Sequence, residues 1–168
     1  DVQDLPFEDE LFDVVIGESV IAVPKNKQRA VNECARVTKA GGCVGLNETT
    51  WIKTPPPREL VEWVSRDLSG NADLLDADGW VALMRGAGLS DIVANTHKVS
   101  AAGAVASIVR RYGLGGFLDA WWRMLRLYFK SPAYRAFLKQ VRRAGMMPKN
   151  AFDYFGYGIY VGWKQLGD

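Results

Sequence analysis

Leu11, Phe12, Val14, Val15 and Ile16 form a short apolar run that ends at Gly17. Such a run predicts a strand covered on both faces. After Pro24 the apolar positions Ala30, Val31, Cys34, Ala35 and Val37 recur at helical spacing, with Lys39 in the last turn and Gly41 and Gly42 as the stop. Cys43, Val44, Gly45 and Leu46 then read as a second short buried strand. The order strand, helix, strand predicts a right-handed crossover and a parallel pair.

Pro55, Pro56 and Pro57 lead into Leu60, Val61, Val64 and Leu68, a helix entered through proline and closed near Gly70. Another helix starts at about Asp76, carries Trp80, Leu83, Met84 and Ala87 on one face, and ends at Gly86 and Gly88. Ser90 to Val99 alternates as a third strand. From Ser100 to about Gly145 the pattern is helical only, broken at Gly113, Gly115 and Gly116 and again at Ser131 and Pro132. This stretch, 100–145, reads as a helical cap within a single domain spanning 1–168. Phe152 to Trp163, rich in aromatic and β-branched residues, predicts a final strand. The fold class is therefore α/β, a partial sheet of about four strands with a helical insertion.

With 168 residues, 48% hydrophobic and 24% charged, the chain suits one sizeable core and is too short for two ordinary domains. Twenty-one basic residues against nineteen acidic give +2, which excludes an acidic or basic tail protein. The apolar stretch from Ala101 to Val109 is followed at once by Arg110 and Arg111, so no run has the length of a bilayer span. Nothing before the first strand resembles a signal peptide, and an opening at Asp1 suggests a chain cut from something longer. Cys34 and Cys43 lack the paired spacing of a zinc site and are too few for a disulfide framework. They read as reduced thiols in a cytoplasmic protein.

Three ordered segments resemble a known family. Asp1-Val2-Gln3-Asp4-Leu5-Pro6-Phe7, then Phe12-Asp13-Val14-Val15, then Ala35-Arg36-Val37-Thr38-Lys39-Ala40-Gly41-Gly42 are similar to class I S-adenosylmethionine-dependent methyltransferases, especially the small-molecule branch that includes quinone-biosynthesis enzymes. The likeness extends to about Val99 through Trp80 to Leu89, while the cap matches no segment of that family. The resemblance implies a Rossmann-like sheet whose last strand lies antiparallel between the second and third. It also implies S-adenosylmethionine as cofactor and a small, hydrophobic or planar methyl acceptor. The family's glycine-rich cofactor loop is missing. Gly113-Leu114-Gly115-Gly116 and Gly156-Tyr157-Gly158 begin like it, but Leu118 and Val161 stand where its last glycine belongs. The resemblance thus suggests the C-terminal part of a methyltransferase, beginning before the family's fourth strand and inactive alone.

Carried over position by position, Asp1 matches the carboxylate that accepts from the adenine amino group, and Val2 the residue whose backbone N–H meets the adenine ring. Gly17 and Glu18 match the turn that passes close to the cofactor's sulfonium and amino group. A carboxylate at Glu18 would complement a cation or orient a substrate hydroxyl. Where relatives often carry histidines after that turn, Ala22 and Val23 stand here, which removes an obvious base. Parallel sheets bind ligands beyond the carboxyl ends of their strands, so Ser19, Asn47, Glu48 and Trp51 join the candidates for substrate contact.

In the cap, Trp121, Trp122, Leu125, Tyr128 and Phe129 form an aromatic and aliphatic stripe. Packing between cap helices is the favoured reading, and a pocket wall for a planar substrate is the functional one. Ten basic residues lie between Ala101 and Asn150, against Asp119 alone. An exposed, soluble helix face is the favoured explanation, and the functional one is attraction to an anionic substrate, an acidic partner or an anionic membrane surface. Nucleic acid is not expected, because no stacking module accompanies the charge. His97, the single histidine, reads as structural or exposed. A sheet that begins at Phe12 leaves an open strand, so self-association through it, as a dimer, is expected. The alternative to an enzyme is a non-catalytic docking module that works through the basic cap.

Overall fold

The computed structural model describes residues 1–67, 74–144, 148 and 150–166. The helix closure near Gly70 and the cap boundary at Gly145 lie outside the described residues. Ten elements follow in order: β1 (Phe12–Glu18), α1 (Lys27–Val37), β2 (Thr38–Trp51), α2 (Arg58–Asp67), α3 (Ala77–Gly86), β3 (Leu89–Lys98), α4 (Ala101–Lys130), α5 (Pro132–Ala144), α6 (Ala151–Tyr154) and β4 (Phe155–Lys164). They divide into two compact units, one formed by Asp1–Lys98 with Asn150–Asp168 and the other by Val99–Lys149.

The first unit is built on a four-stranded sheet in the order β1-β2-β4-β3. β1 and β2 run parallel, with Val14 opposite Cys43 and Glu18 opposite Asn47. β4 is antiparallel to both β2 and β3, so the last strand takes the place the sequence resemblance implies. α1 begins because the Asn26 side chain accepts from the Arg29 N–H, capping an exposed donor. It ends at Val37, two residues before the predicted Lys39. Thr38 turns to extended backbone there, and its hydroxyl donates to the Cys34 carbonyl at 2.7 Å. β2 is correspondingly longer than the four residues predicted, because β4 pairs along it from Cys43 to Trp51.

One face of the sheet packs on α1 and α3 through Ile21, Val31, Leu46, Trp80, Met84 and Tyr160. Asp76 caps α3 by accepting from the Gly79 N–H at 2.9 Å, which aims Trp80 and Met84 inward. Gly158 lacks a side chain where the Tyr160 phenol lies across it, and that phenol donates to Thr50 Oγ1 at 3.1 Å. A second cluster gathers Trp51, Leu60, Val64, Leu74 and Ala151. The expectation of a first strand covered on both faces fails: Val14 is 54% exposed and Ile16 76%. Their side of β1 is open to solvent, and among the described residues its outer edge has no partner strand.

The second unit consists of α4 and α5. Gly113 breaks α4 with φ at +73°, a conformation that glycine adopts without strain. Ser131 separates the two helices, its hydroxyl accepting from the Tyr134 N–H. Among the described residues no helix is long and apolar enough to cross a membrane.

Candidate functional site

β1 leads out of the sheet at Glu18, and Ser19 turns the chain with φ at +54°. The Ser19 N–H donates to the Asn47 carbonyl at 2.9 Å, so the neighbouring strand holds the exit of the turn. The following residues are held by a single side chain. Glu48 projects from β2 on the same inward row as Leu46 and Thr50, and all three are buried. Its Oε1 accepts from the N–H groups of Val20 at 2.9 Å and Ile21 at 2.8 Å, and its Oε2 from Ala22 at 3.3 Å. Burial pushes the Glu48 carboxyl up from its ordinary value, while the three N–H groups and the nearby Lys27 ammonium oppose that rise. The geometry is that of a carboxylate standing in for a missing strand end and satisfying three donors that would otherwise be orphaned.

A second ionic group fixes the segment before β1. Arg36 reaches from α1 to Glu33 at 2.8 Å, to the carbonyls of Leu5 and Phe7, and to Asp9 at 2.6 Å. Glu33 in turn accepts from the Leu5 N–H at 2.8 Å. The Arg36 guanidinium is the main cause that holds the Glu33 carboxyl down at about 2. Further along, Arg29 donates to the Gln3 carbonyl at 2.7 Å and the Gln3 side chain accepts from the Asn26 N–H. Gln3 also donates to the Asp1 carboxylate through its backbone N–H at 2.9 Å.

Together these anchors bring the two segments side by side. Asp1, Val2 and Gln3 meet Ser19, Val20, Val23, Pro24 and Lys25 around an open depression of 730 Å³. Its walls are largely apolar, and Asp1, Gln3, Ser19 and Lys25 bring the polar side chains. Of the sequence-derived candidates, Asp1, Val2 and Ser19 line it. Gly17 and Glu18 lie at the end of β1 just behind it, and the Glu18 side chain is exposed. Asn47 supports the turn through its carbonyl. Trp51 lies elsewhere, stacked on Phe155 at 4.7 Å in the second core cluster. Trp121, Trp122 and Tyr128 belong to the other unit and are exposed, so the favoured reading of their stripe as packed core fails. His97 is exposed and stacks on Tyr157 at 5.0 Å.

Residues 1–46 match the model of a family described as a methyltransferase domain. Among solved structures, phosphoethanolamine N-methyltransferase 2 of Haemonchus contortus in complex with S-adenosyl-L-methionine superimposes with a TM-score of 0.68 at 17% identity, over 98% of this chain and 36% of that one. The class I methyltransferase fold is present. CrArsM, an arsenic(III) S-adenosylmethionine methyltransferase from Chlamydomonas reinhardtii, gives 0.57 at 16% identity over 99% of this chain and 42% of its own. The cyclase SpnF gives 0.59 at 21% identity over 99% and 54%. The chain thus spans between about a third and just over half of the length of these methyltransferase-fold structures. No curated protein matches its sequence.

Within the methyltransferase fold the two glycine groups have other duties than holding a cofactor. Gly113, Gly115 and Gly116 lie inside α4, and Gly156 and Gly158 inside β4, where Gly156 lets the His97 backbone approach closely. Sequence reasoning assigned Glu48 to substrate contact, whereas the structure places its carboxylate under the loop that lines the depression. A carboxylate on the inward row of a buried strand is the signal that marks such a residue. Val20 and Lys25 were not picked out by sequence, because a loop carries no periodicity, while Val23 was read only as a position without a histidine and Gln3 only as part of a family-like motif.

Proposed function

We propose that the depression takes the adenosine end of S-adenosylmethionine, and that the chain serves methyl transfer to a small, hydrophobic or planar acceptor. The observation that carries this reading is the meeting of Asp1 and Val2 with the Ser19–Lys25 loop in one apolar-walled hollow beyond the end of β1. The residues fit the group. The Asp1 carboxylate is an acceptor for an exocyclic amine, the Val2 backbone offers an N–H beside it, and Val20, Val23 and Pro24 supply flat apolar walls for a heteroaromatic ring. S-adenosylmethionine, when bound, supplies an electrophilic methyl group on a sulfonium. Such a transfer depends on in-line positioning more than on proton movement, which suits a site whose candidate base positions are Ala22 and Val23. Glu48 keeps the loop in place, and Glu18 at the strand end orients an acceptor hydroxyl or complements positive charge.

The test is a titration of the chain with S-adenosylhomocysteine, read by amide NMR. Shifts of Val2 and of Ser19 to Val23 are expected, as is their loss in Val23→Arg, which fills the hollow. A silent titration of a folded sample, or shifts confined to another part of the sheet, would overturn the reading. We further propose that copies of the chain pair through the open edge of β1, where Val14 and Ile16 stand exposed. Sedimentation velocity is expected to show a dimer that Ile16→Lys returns to monomer, and a monomer at high concentration would count against it.

A further inference from the structure

The helical unit is sorted into faces more sharply than packing against the rest of its own helices requires. From Leu114 to Lys130 the charged residues of α4 are Asp119, Arg123, Arg126 and Lys130, at spacings of four, three and four. At 100° per residue they fall within about 60° of the helix circumference. The remaining positions in that segment are apolar, aromatic or glycine. That wide face is uncovered: Trp122 is 62% exposed and Phe129 75%, with Leu118 and Trp121 also open to solvent. α5 repeats the pattern, with Phe137 and Val141 exposed on one side and Arg135 and Lys139 on the other. Asp119 is paired with Arg123 at 2.9 Å, so it neutralises one cation and leaves the others unmatched by any acid in the unit.

We propose that this unit is a docking surface for an anionic lipid bilayer, lying in the interface with the broad face of α4 and the Phe137 side of α5 buried among acyl chains. Charge and shape favour that occupant. A helix that inserts in the interface needs an apolar face with tryptophan and tyrosine at its flanks and basic groups beside it, which reach headgroups along their aliphatic stems. Here Trp122 borders the stripe beside Arg126, and Lys130 closes the same end of the helix. A polyanion such as RNA would be met by the charged stripe alone and would leave the aromatic face in water. An acidic protein would need an apolar groove as wide as α4 as well as its carboxylates. No helix of the described residues is apolar enough to cross, which fits a surface position rather than a span.

The experiment is co-sedimentation of the whole chain with vesicles, either pure phosphatidylcholine or phosphatidylcholine with a third phosphatidylglycerol. Binding to the anionic vesicles is expected, weakening steeply with salt, with little binding to the neutral ones. Trp122→Glu with Phe129→Glu is expected to abolish it, while Arg126→Gln with Lys130→Gln weakens it by about fivefold per charge removed. Far-UV circular dichroism confirms that each variant keeps its helices. Absence of binding to anionic vesicles by the folded parent would overturn the proposal. So would full binding by the Trp122→Glu, Phe129→Glu variant, or equal binding to neutral vesicles. Retention of an RNA oligonucleotide by that same variant, together with loss of vesicle binding by the parent in its presence, would point instead to a polyanion.

Discussion

The two units carry apolar residues of the same size in equally regular patterns and treat them in opposite ways. In the sheet unit Ile21, Leu46, Trp80 and Tyr160 are wholly buried between β2, β4 and the helices α1 and α3. In the helical unit Trp122 and Phe129 stand in solvent. Periodicity decides which side of an element is apolar, but coverage needs a second apolar surface facing it. β2 has neighbours on both edges and helices above it, whereas α4 has α5 and no sheet within its own unit. Burial in the first unit therefore contributes stability, and the exposed side chains of the second contribute little of it.

Truncating the largest side chain on each side gives the widest contrast. Trp80→Ala is expected to lower the unfolding free energy by about 3–5 kcal/mol, whereas Trp122→Ala should stay within about 0.5 kcal/mol. Urea unfolding followed by circular dichroism measures both, and equal losses would erase the distinction between the units. Glu48→Gln comes next, at about 1–3 kcal/mol, because its amide nitrogen must face a backbone N–H that the carboxylate now satisfies. The same variant should weaken S-adenosylhomocysteine binding, since the loop loses its anchor. Gly158→Ala sharpens the picture inside the sheet. Its methyl meets the Tyr160 phenol, and a cost of about 1–3 kcal/mol is expected from overpacking, at the lower end if the ring can shift.

The last test is a pH dependence. Glu33 titrates at about 2 in the folded chain, against 4.5 for an ordinary glutamate. The folded value is depressed, so the stabilisation is present above pH 4.5 and is lost as pH falls through about 2. Glu33→Gln should flatten the melting temperature against pH over that window, with the helical unit unaffected. An unchanged slope would mean that Arg36 holds the opening segment through its carbonyl contacts to Leu5 and Phe7 alone.

How far the chain could be read in advance follows from the same contrast. The α1 stripe, the Asp76 start of α3 and the break at Gly113 were legible because each rests on local chemistry: spacing, capping and a glycine conformation. The place of β4 between β2 and β3 came from the family likeness, since no local signal in Phe155 to Lys164 names its neighbours. Asp1, Val2 and Ser19 were carried to the site by that likeness as well. What escaped were the features decided at a distance. The openness of β1 was expected from a sheet that begins there, whereas the local pattern around Val14 and Ile16 and the aromatic stripe of α4 both read as covered, because an apolar run looks the same covered or bare. Glu48 was noticed for its position after a strand, but its role as a loop anchor depends on three N–H groups more than twenty residues earlier in the chain.

β4 pairs with β2 on one side and β3 on the other, and β3 reaches the sheet only through it. Chain order gives that arrangement a direction in time. β2 and β3 leave the ribosome well before β4, separated from it by the whole helical unit, and at ordinary elongation rates β3 waits about 3–13 s for its partner in the sheet. During that interval β2 lacks its second partner and both edges of β3 stay open, with the basic helices following behind. β4 is thus the seam of the sheet, and losing it would cost the sheet its third strand along with its fourth.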